Sequence, residues 1–218
     1  MEKNIAILMA DLSGYSALTE THGAVSAADL IDKYIGIAEN CLVGDCKLHQ
    51  QTGDELMFVS DSSDVMLATA LKLAAHTASE EHFLQVHGGL HYGKVLKRGG
   101  NYFGFAVNLA ARIAAKATAG TFCCSAGFID SISDKSVCRF KSQGNYLLKN
   151  ISAEKELFEL SVEKIKTNYI DPVCRMLILH PEKAFRHPNE NQLYFCSPQC
   201  LEVYHENERF GQTMQNVN

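Results

Sequence analysis

The sequence predicts an α+β fold: a ferredoxin-like, mainly antiparallel sheet with helices on one face, followed by a small cysteine-rich module. Three observations lead there. Residues 4–10 form a nearly continuous apolar run, the pattern of a buried central strand. Ala28, Leu30, Ile31, Tyr34, Ile35, Ile37 and Ala38 recur with the period of a helix. Residues 47–51 and 56–59 flank Thr52-Gly53-Asp54-Glu55, a hairpin turn between two strands.

The remaining elements follow in order. Residues 64–78, rich in Ala, Leu and Met, predict a second helix. Residues 85–91 and 94–96 predict strands, with Gly99-Gly100-Asn101 as a turn. A third long helix is expected over 107–117, and short strands over 121–125, 138–141 and 157–160. The order β-α-β-β-α-β is that of a split βαβ arrangement. Residues 162–168, polar and Lys-rich, read as a linker between a domain at 1–161 and a module at 169–212. That module has Asp-Pro, His-Pro and Ser-Pro pairs, closely spaced cysteines and no long helix before Pro198. So short a segment builds little apolar core and needs a staple, which a metal ion supplies.

Composition narrows the function. A chain of 218 residues with 46% hydrophobic content supports one medium domain and a small one. A net charge of −5 leaves no electrostatic footprint for nucleic acid or an anionic membrane. No apolar run approaches the ~20 residues a membrane-spanning helix requires. The N-terminus lacks the basic start and apolar stretch of a signal peptide, so a cytoplasmic protein is expected. Of the eight cysteines, Cys41, Cys46, Cys123, Cys124 and Cys138 lie among apolar residues and read as buried thiols.

The chemistry concentrates in three segments. Asn108 and Arg112 stand four residues apart in Phe103-Gly104-Phe105-Ala106-Val107-Asn108-Leu109-Ala110-Ala111-Arg112, hence on one face of a helix. Asp11 lies in Ala10-Asp11-Leu12-Ser13-Gly14-Tyr15-Ser16, and Asp54 in the hairpin turn. Two carboxylates, an amide and a guanidinium suffice to hold two divalent cations and steady the charge of a phosphoryl transfer.

These segments, in this order, resemble the catalytic domain of class III nucleotide cyclases. Gly88-Gly89-Leu90-His91-Tyr92-Gly93-Lys94-Val95 is similar to that family's glycine-flanked strand pair, and Leu147-Leu148-Lys149-Asn150 to its late Leu-Lys-Gly turn, with Asn in place of Gly. The resemblance covers about residues 4–160. It implies conversion of ATP to cyclic AMP and pyrophosphate, with Asp11 and Asp54 holding two Mg²⁺ or Mn²⁺ ions. Backbone N–H groups of Leu12, Ser13, Gly14, Tyr15 and Ser16 would cradle phosphate. Asn108 would orient the ribose, Arg112 would neutralise the α-phosphate, and Lys149 would touch the triphosphate. It further implies a homodimer, because in this family the aspartates and the Asn/Arg pair of one site come from different subunits.

Two positions depart from the family pattern. Gln50 stands where adenylyl cyclases usually carry Lys, and Asn101 where they usually carry Asp. Amides both donate and accept, and a rotated pair can read guanine. ATP with relaxed base selectivity is the expectation. A cyclase for GTP or a pyrimidine nucleotide, and an inactive nucleotide-binding regulator of a partner, stay open.

The tail contains Asp171-Pro172-Val173-Cys174-Arg175-Met176 and Tyr194-Phe195-Cys196-Ser197-Pro198-Gln199-Cys200, a C-x21-C-x3-C array. It resembles the YHS domain, related to the TRASH metal-binding modules, with Arg175 in place of a common Gly. Cys174, Cys196 and Cys200 suit Zn²⁺ or Cu⁺. The fourth ligand is open, with His180, His187 and His205 as candidates.

Overall fold

The computed structural model describes residues 1–161, 169–190 and 192–215, with side chains through 208. The expected linker at 162–168 lies outside the described residues.

The first part comprises β1 (Glu2–Ser13), α1 (Tyr15–Cys41), β2 (Lys47–Thr52), β3 (Glu55–Ser60), α2 (Ser63–Ala78), β4 (Gln85–Arg98) and β5 (Asn101–Phe103). After these come α3 (Phe105–Ala114), β6 (Phe122–Ser125), α4 (Ala126–Asp130), β7 (Arg139–Tyr146) and β8 (Lys155–Ser161). Eight strands make one sheet in the order β2-β3-β1-β4-β6-β8-β7, with β5 paired to β4. The β4–β6 pairing is parallel; the other pairings in this sheet are antiparallel. β1 is central and buried from Ile5 to Ala10, as its apolar run predicts.

Four expectations are corrected. The helices cover both faces of the sheet, not one. Ala6, Leu8 and Ala10 of β1 pack with α1 and α2. Ile5, Ile7 and Met9 pack with Ala106, Ala110 and Ala114 of α3 on the opposite face. The two strands expected over 85–96 are one continuous β4, because Gly93 stays in register opposite Ile5. Asn101 opens β5 instead of ending a turn, and α3 spans Phe105–Ala114, two residues earlier at its start and three at its end than expected.

Glycine explains how closely α3 sits. A Cβ at Gly89 would lie 2.2 Å from the Ala114 nitrogen and 2.5 Å from the Ala110 oxygen. The helix backbone therefore rests directly on β4, which only Gly permits there. α2 begins with Ser62 capping the Val65 N–H at 3.4 Å and Asp64 in its first turn, both favourable at a helix N-terminus. α1 breaks at Gly23, whose φ of 81° interrupts the helix.

The tail contains β9 (Tyr169–Ile170), β10 (Leu177–Ile178), β11 (Phe185–Arg186), β12 (Tyr194–Phe195) and α5 (Pro198–Gln215). Its small core is Cys174, Phe195 and Cys200 with neighbouring apolar side chains. It docks on the first domain. Leu84 bridges Met176, Leu177 N–H donates to Phe83 O at 2.7 Å, and His82 N–H donates to Leu177 O at 3.3 Å.

Candidate functional site

Strand register places the charged residues. Along β1, alternate residues face α3, and the row Ile5, Ile7, Met9 continues to Asp11. Asp11 lies opposite His87 of β4, whose Nε2 is 3.9 Å from Asp11 Oδ2, and His87 Nδ1 meets Ser13 Oγ at 2.9 Å. Asp54 sits in the two-residue loop between β2 and β3, after Gly53 with a φ of 63°. Glycine at that first loop position is what a tight hairpin of type II′ requires.

The end of β1 and the β2–β3 loop bring Asp11 and Asp54 close enough that each carboxyl shifts the protonation of the other. Burial pushes Asp54 up to about 6, and the neighbouring Asp11 charge pushes the same way. Asp11 and Glu55 are raised too, chiefly by burial. Asp11 Oδ1 is buried without a hydrogen-bond partner. A half-buried acidic pair with an orphaned oxygen is the donor set a hard divalent cation takes.

The turn after β1 has a second property. Gly14, with φ 96°, precedes the first turn of α1, which has no side-chain cap and no acidic residue. Its leading N–H groups are therefore open to an anion.

Asn108 and Arg112 project from α3 on the side away from Ala106, Leu109, Ala110 and Ile113, which are buried. Asn108 is exposed and Arg112 half-buried. Among the described residues neither side chain makes a hydrogen bond or ion pair, so Arg112 does not pair with Asp11 or Asp54 of its own chain. Phe103, which ends β5, and Phe105, which opens this helix, are 52% and 54% exposed. That is apolar surface a second chain can cover.

A β-bulge at His49 turns Gln50 toward the α3 face, whereas Asn101 pairs with Arg98, three residues from the α3-facing Val95 and so on the other face. Leu48 packs toward α1 and α2, whereas Gln50 lies opposite Met57 on the α3 face. The bulged His49 ring stacks edge-on against Tyr102 of β5, 4.8 Å between centroids. Gln50 Nε2 donates to Thr52 Oγ1 at 3.2 Å. Lys149 is exposed on the turn closed by Ile151 N–H to Leu148 O, in which Asn150 has a φ of 64°. Asn is one of the few residues that takes this conformation in place of Gly.

In the tail, Cys174 Sγ is 3.4 Å from Cys196 Sγ, and Cys196 Sγ is 3.6 Å from Cys200 Sγ. The sequence reading missed the fourth group. His22 of α1 puts Nε2 3.4 Å from Cys200 Sγ and 3.7 Å from Cys196 Sγ. The three proposed histidines go elsewhere. His180 pairs with Glu182, while His187 and His205 converge on Glu208. Nothing near His22 in the chain signals a ligand, since its partners lie 174 and 178 residues away. The three thiols hydrogen-bond one another, which lowers the Cys200 thiol and raises those of Cys174 and Cys196. Cys123 has no such partner, and burial pushes it up to about 11.

Comparison with known proteins agrees with the fold. No family model matches the chain. An uncharacterized protein of Mycobacterium tuberculosis is 34% identical over 152 residues, covering 69% of this chain and 39% of that protein. An adenylate cyclase of Glutamicibacter nicotianae is 32% identical over 53% of this chain and 29% of its own length. The chain thus spans well under half of these curated relatives. Among solved structures, the adenylyl cyclase CyaB from P. aeruginosa superposes with a TM-score of 0.65 at 17% identity, over 75% of this chain and 96% of that one. An adenylate/guanylate cyclase/hydrolase from Silicibacter pomeroyi gives 0.59 at 26% identity, over 75% and 99%. The guanylate cyclase domain of RhGC from Catenaria anguillulae, in complex with GTP, gives 0.60 at 16% identity, over 75% and 100%. Together these likenesses show the fold of an adenylate/guanylate cyclase over about three-quarters of the chain.

Proposed function

We propose that this cyclase-like domain converts ATP to cyclic AMP and pyrophosphate at a site shared between two copies of the chain. The observation that carries the reading is the convergence of Asp11 and Asp54, with Asp11 Oδ1 buried and unpartnered, on the sheet face that also bears α3.

Asp11 and Asp54 would hold two Mg²⁺ or Mn²⁺ ions. Bound there, divalent cations lower the pKa of a ribose 3′-hydroxyl and neutralise phosphate charge. The N–H groups following Leu12, at the uncapped start of α1, would cradle phosphate oxygens. Arg112 of the second copy would neutralise charge growing on the α-phosphate, and its Asn108 would orient the ribose. Lys149 would bind the triphosphate. Gln50 and Asn101 would read the base, Gln50 from the α3 face to which the His49 bulge turns it. The unpartnered Arg112 and the exposed Phe103 and Phe105 support the shared site, which a single copy leaves incomplete. The C-terminal module would bind a soft metal ion.

A second reading concerns the base. Neutral amides hydrogen-bond about half as strongly as charged groups and can rotate, so GTP or a pyrimidine nucleotide competes more effectively than at a Lys/Asp pair. One experiment tests both readings: purified chain, all four nucleoside triphosphates and Mn²⁺, with products identified. Cyclic AMP in excess is expected. No cyclic product from any nucleotide would leave the domain a nucleotide-binding regulator.

A further inference from the structure

We propose that His22 of the first domain completes a four-ligand Zn²⁺ site with Cys174, Cys196 and Cys200, so that one ion clamps the C-terminal module onto the turn that follows the strand carrying Asp11. The inference does not depend on the substrate or on cyclase activity.

Four edges between these ligand atoms are close to those of a tetrahedral site. Zn–S bonds near 2.3 Å and Zn–N near 2.0 Å imply edges of about 3.8 Å between sulfurs and about 3.6 Å from sulfur to nitrogen. The measured S···S edges are 3.4 and 3.6 Å and the S···N edges 3.4 and 3.7 Å, and all four ligand atoms lie within 4.8 Å of one another. Ordinary thiol packing does not account for this. Cys174 and Cys200 form most of the small core of the module, so its interior is a ligand set.

The surrounding structure presets both cysteine loops. Asp171 is 0% exposed, and its carboxylate accepts from the N–H groups of Val173, Cys174 and Cys196 at 2.8, 3.1 and 2.7 Å. Ser197 Oγ accepts from Cys200 N–H at 3.2 Å. Fixing ligands through such outer partners is usual at metal centres.

His22 makes the ion a tie between modules. It lies in the first segment of α1, just before the break at Gly23, and Gln199 Nε2 donates to the carbonyl of the adjacent Thr21 at 2.8 Å. On the other side, Arg175 packs on Gly14. A Cβ at Gly14 would lie 2.5 Å from Arg175 Cβ. Zn²⁺ would therefore hold Arg175 against the turn that starts three residues after Asp11 and leads into α1.

The test is Zn²⁺ titration of the full chain against a chromophoric chelator, with X-ray absorption of the loaded protein and limited proteolysis. One tightly held Zn²⁺ per chain in a shell of three sulfurs and one nitrogen is expected. His22→Ala should weaken Zn²⁺ binding about 100-fold or more, since even outer partners of ligands are worth 10–100-fold. It should also expose residues beyond 168 to protease. His22→Cys should restore tight binding with four sulfurs, which keeps the proposal testable if the alanine variant misfolds. His205→Ala should change none of these. Unaltered affinity and an unaltered three-sulfur, one-nitrogen shell in the His22 variants, or no Zn²⁺ bound by the natural chain, would overturn the proposal.

Discussion

Asp54 shows how much one carboxyl in a tight turn can control. Its pKa near 6 arises from burial first and from Asp11 second. A carboxyl raised in the folded state binds more protons folded than unfolded between about pH 4 and 6. The metal-free protein therefore loses stability as pH rises through that window. Asp54→Asn should flatten this dependence, read as Tm against pH in chelator. Divalent cations compete with the same protons, so Mg²⁺ affinity should fall as pH drops below about 6. Asp54→Ala or Asp11→Ala should abolish turnover with the circular dichroism spectrum unchanged, because strand pairing runs through the backbone and neither carboxyl supports it. Full activity in Asp54→Ala would remove the metal assignment.

Elements turn such residues into a site, and here the sequence was only partly legible. β1, α2 and the β2–β3 hairpin follow from apolar runs, helical period and turn chemistry, because each signal is local. Asp11, Asp54, Asn108 and Arg112 are candidates on the same kind of local signal. The side of the sheet that α3 covers was not legible, because periodicity gives a helix an apolar stripe but not the face that stripe meets. The deciding feature was Gly89 beside Gly88, two positions on opposite sheet faces, one under the α3 backbone and the other against Phe122. His22 was invisible for another reason: a ligand donated by a helix to a distant module leaves no spacing to read. Gly89 supplies a test at this scale. A methyl there would displace α3 without touching Asn108 or Arg112. Gly89→Ala should destabilise the protein by about 1–3 kcal/mol, the range for overpacked cores. It should also lower kcat, in parallel with a reduced Tm in thermal denaturation.

For the whole molecule, the question is whether one chain holds a complete site. Asp11 and Asp54 converge at the β1 end of the sheet, while Arg112 points away from its own helix packing and pairs with neither. If a second copy supplies Arg112 through two-fold symmetry, each dimer has two equivalent sites. Asp54→Ala and Arg112→Ala homodimers should then both be inactive, since every site in each lacks one group. A mixed dimer differs. One of its sites takes the intact aspartates from the Arg112→Ala chain and the intact arginine from the Asp54→Ala chain. Random exchange at equal concentration makes about half of all dimers mixed, so about a quarter of sites, and of natural activity, should return. The measurement is product formation after co-incubation, with subunit exchange followed by energy transfer between labelled chains. Exchange without recovered activity would mean that Asp54 and Arg112 do not serve one reaction from opposite subunits, and the active unit would have to be sought within a single chain.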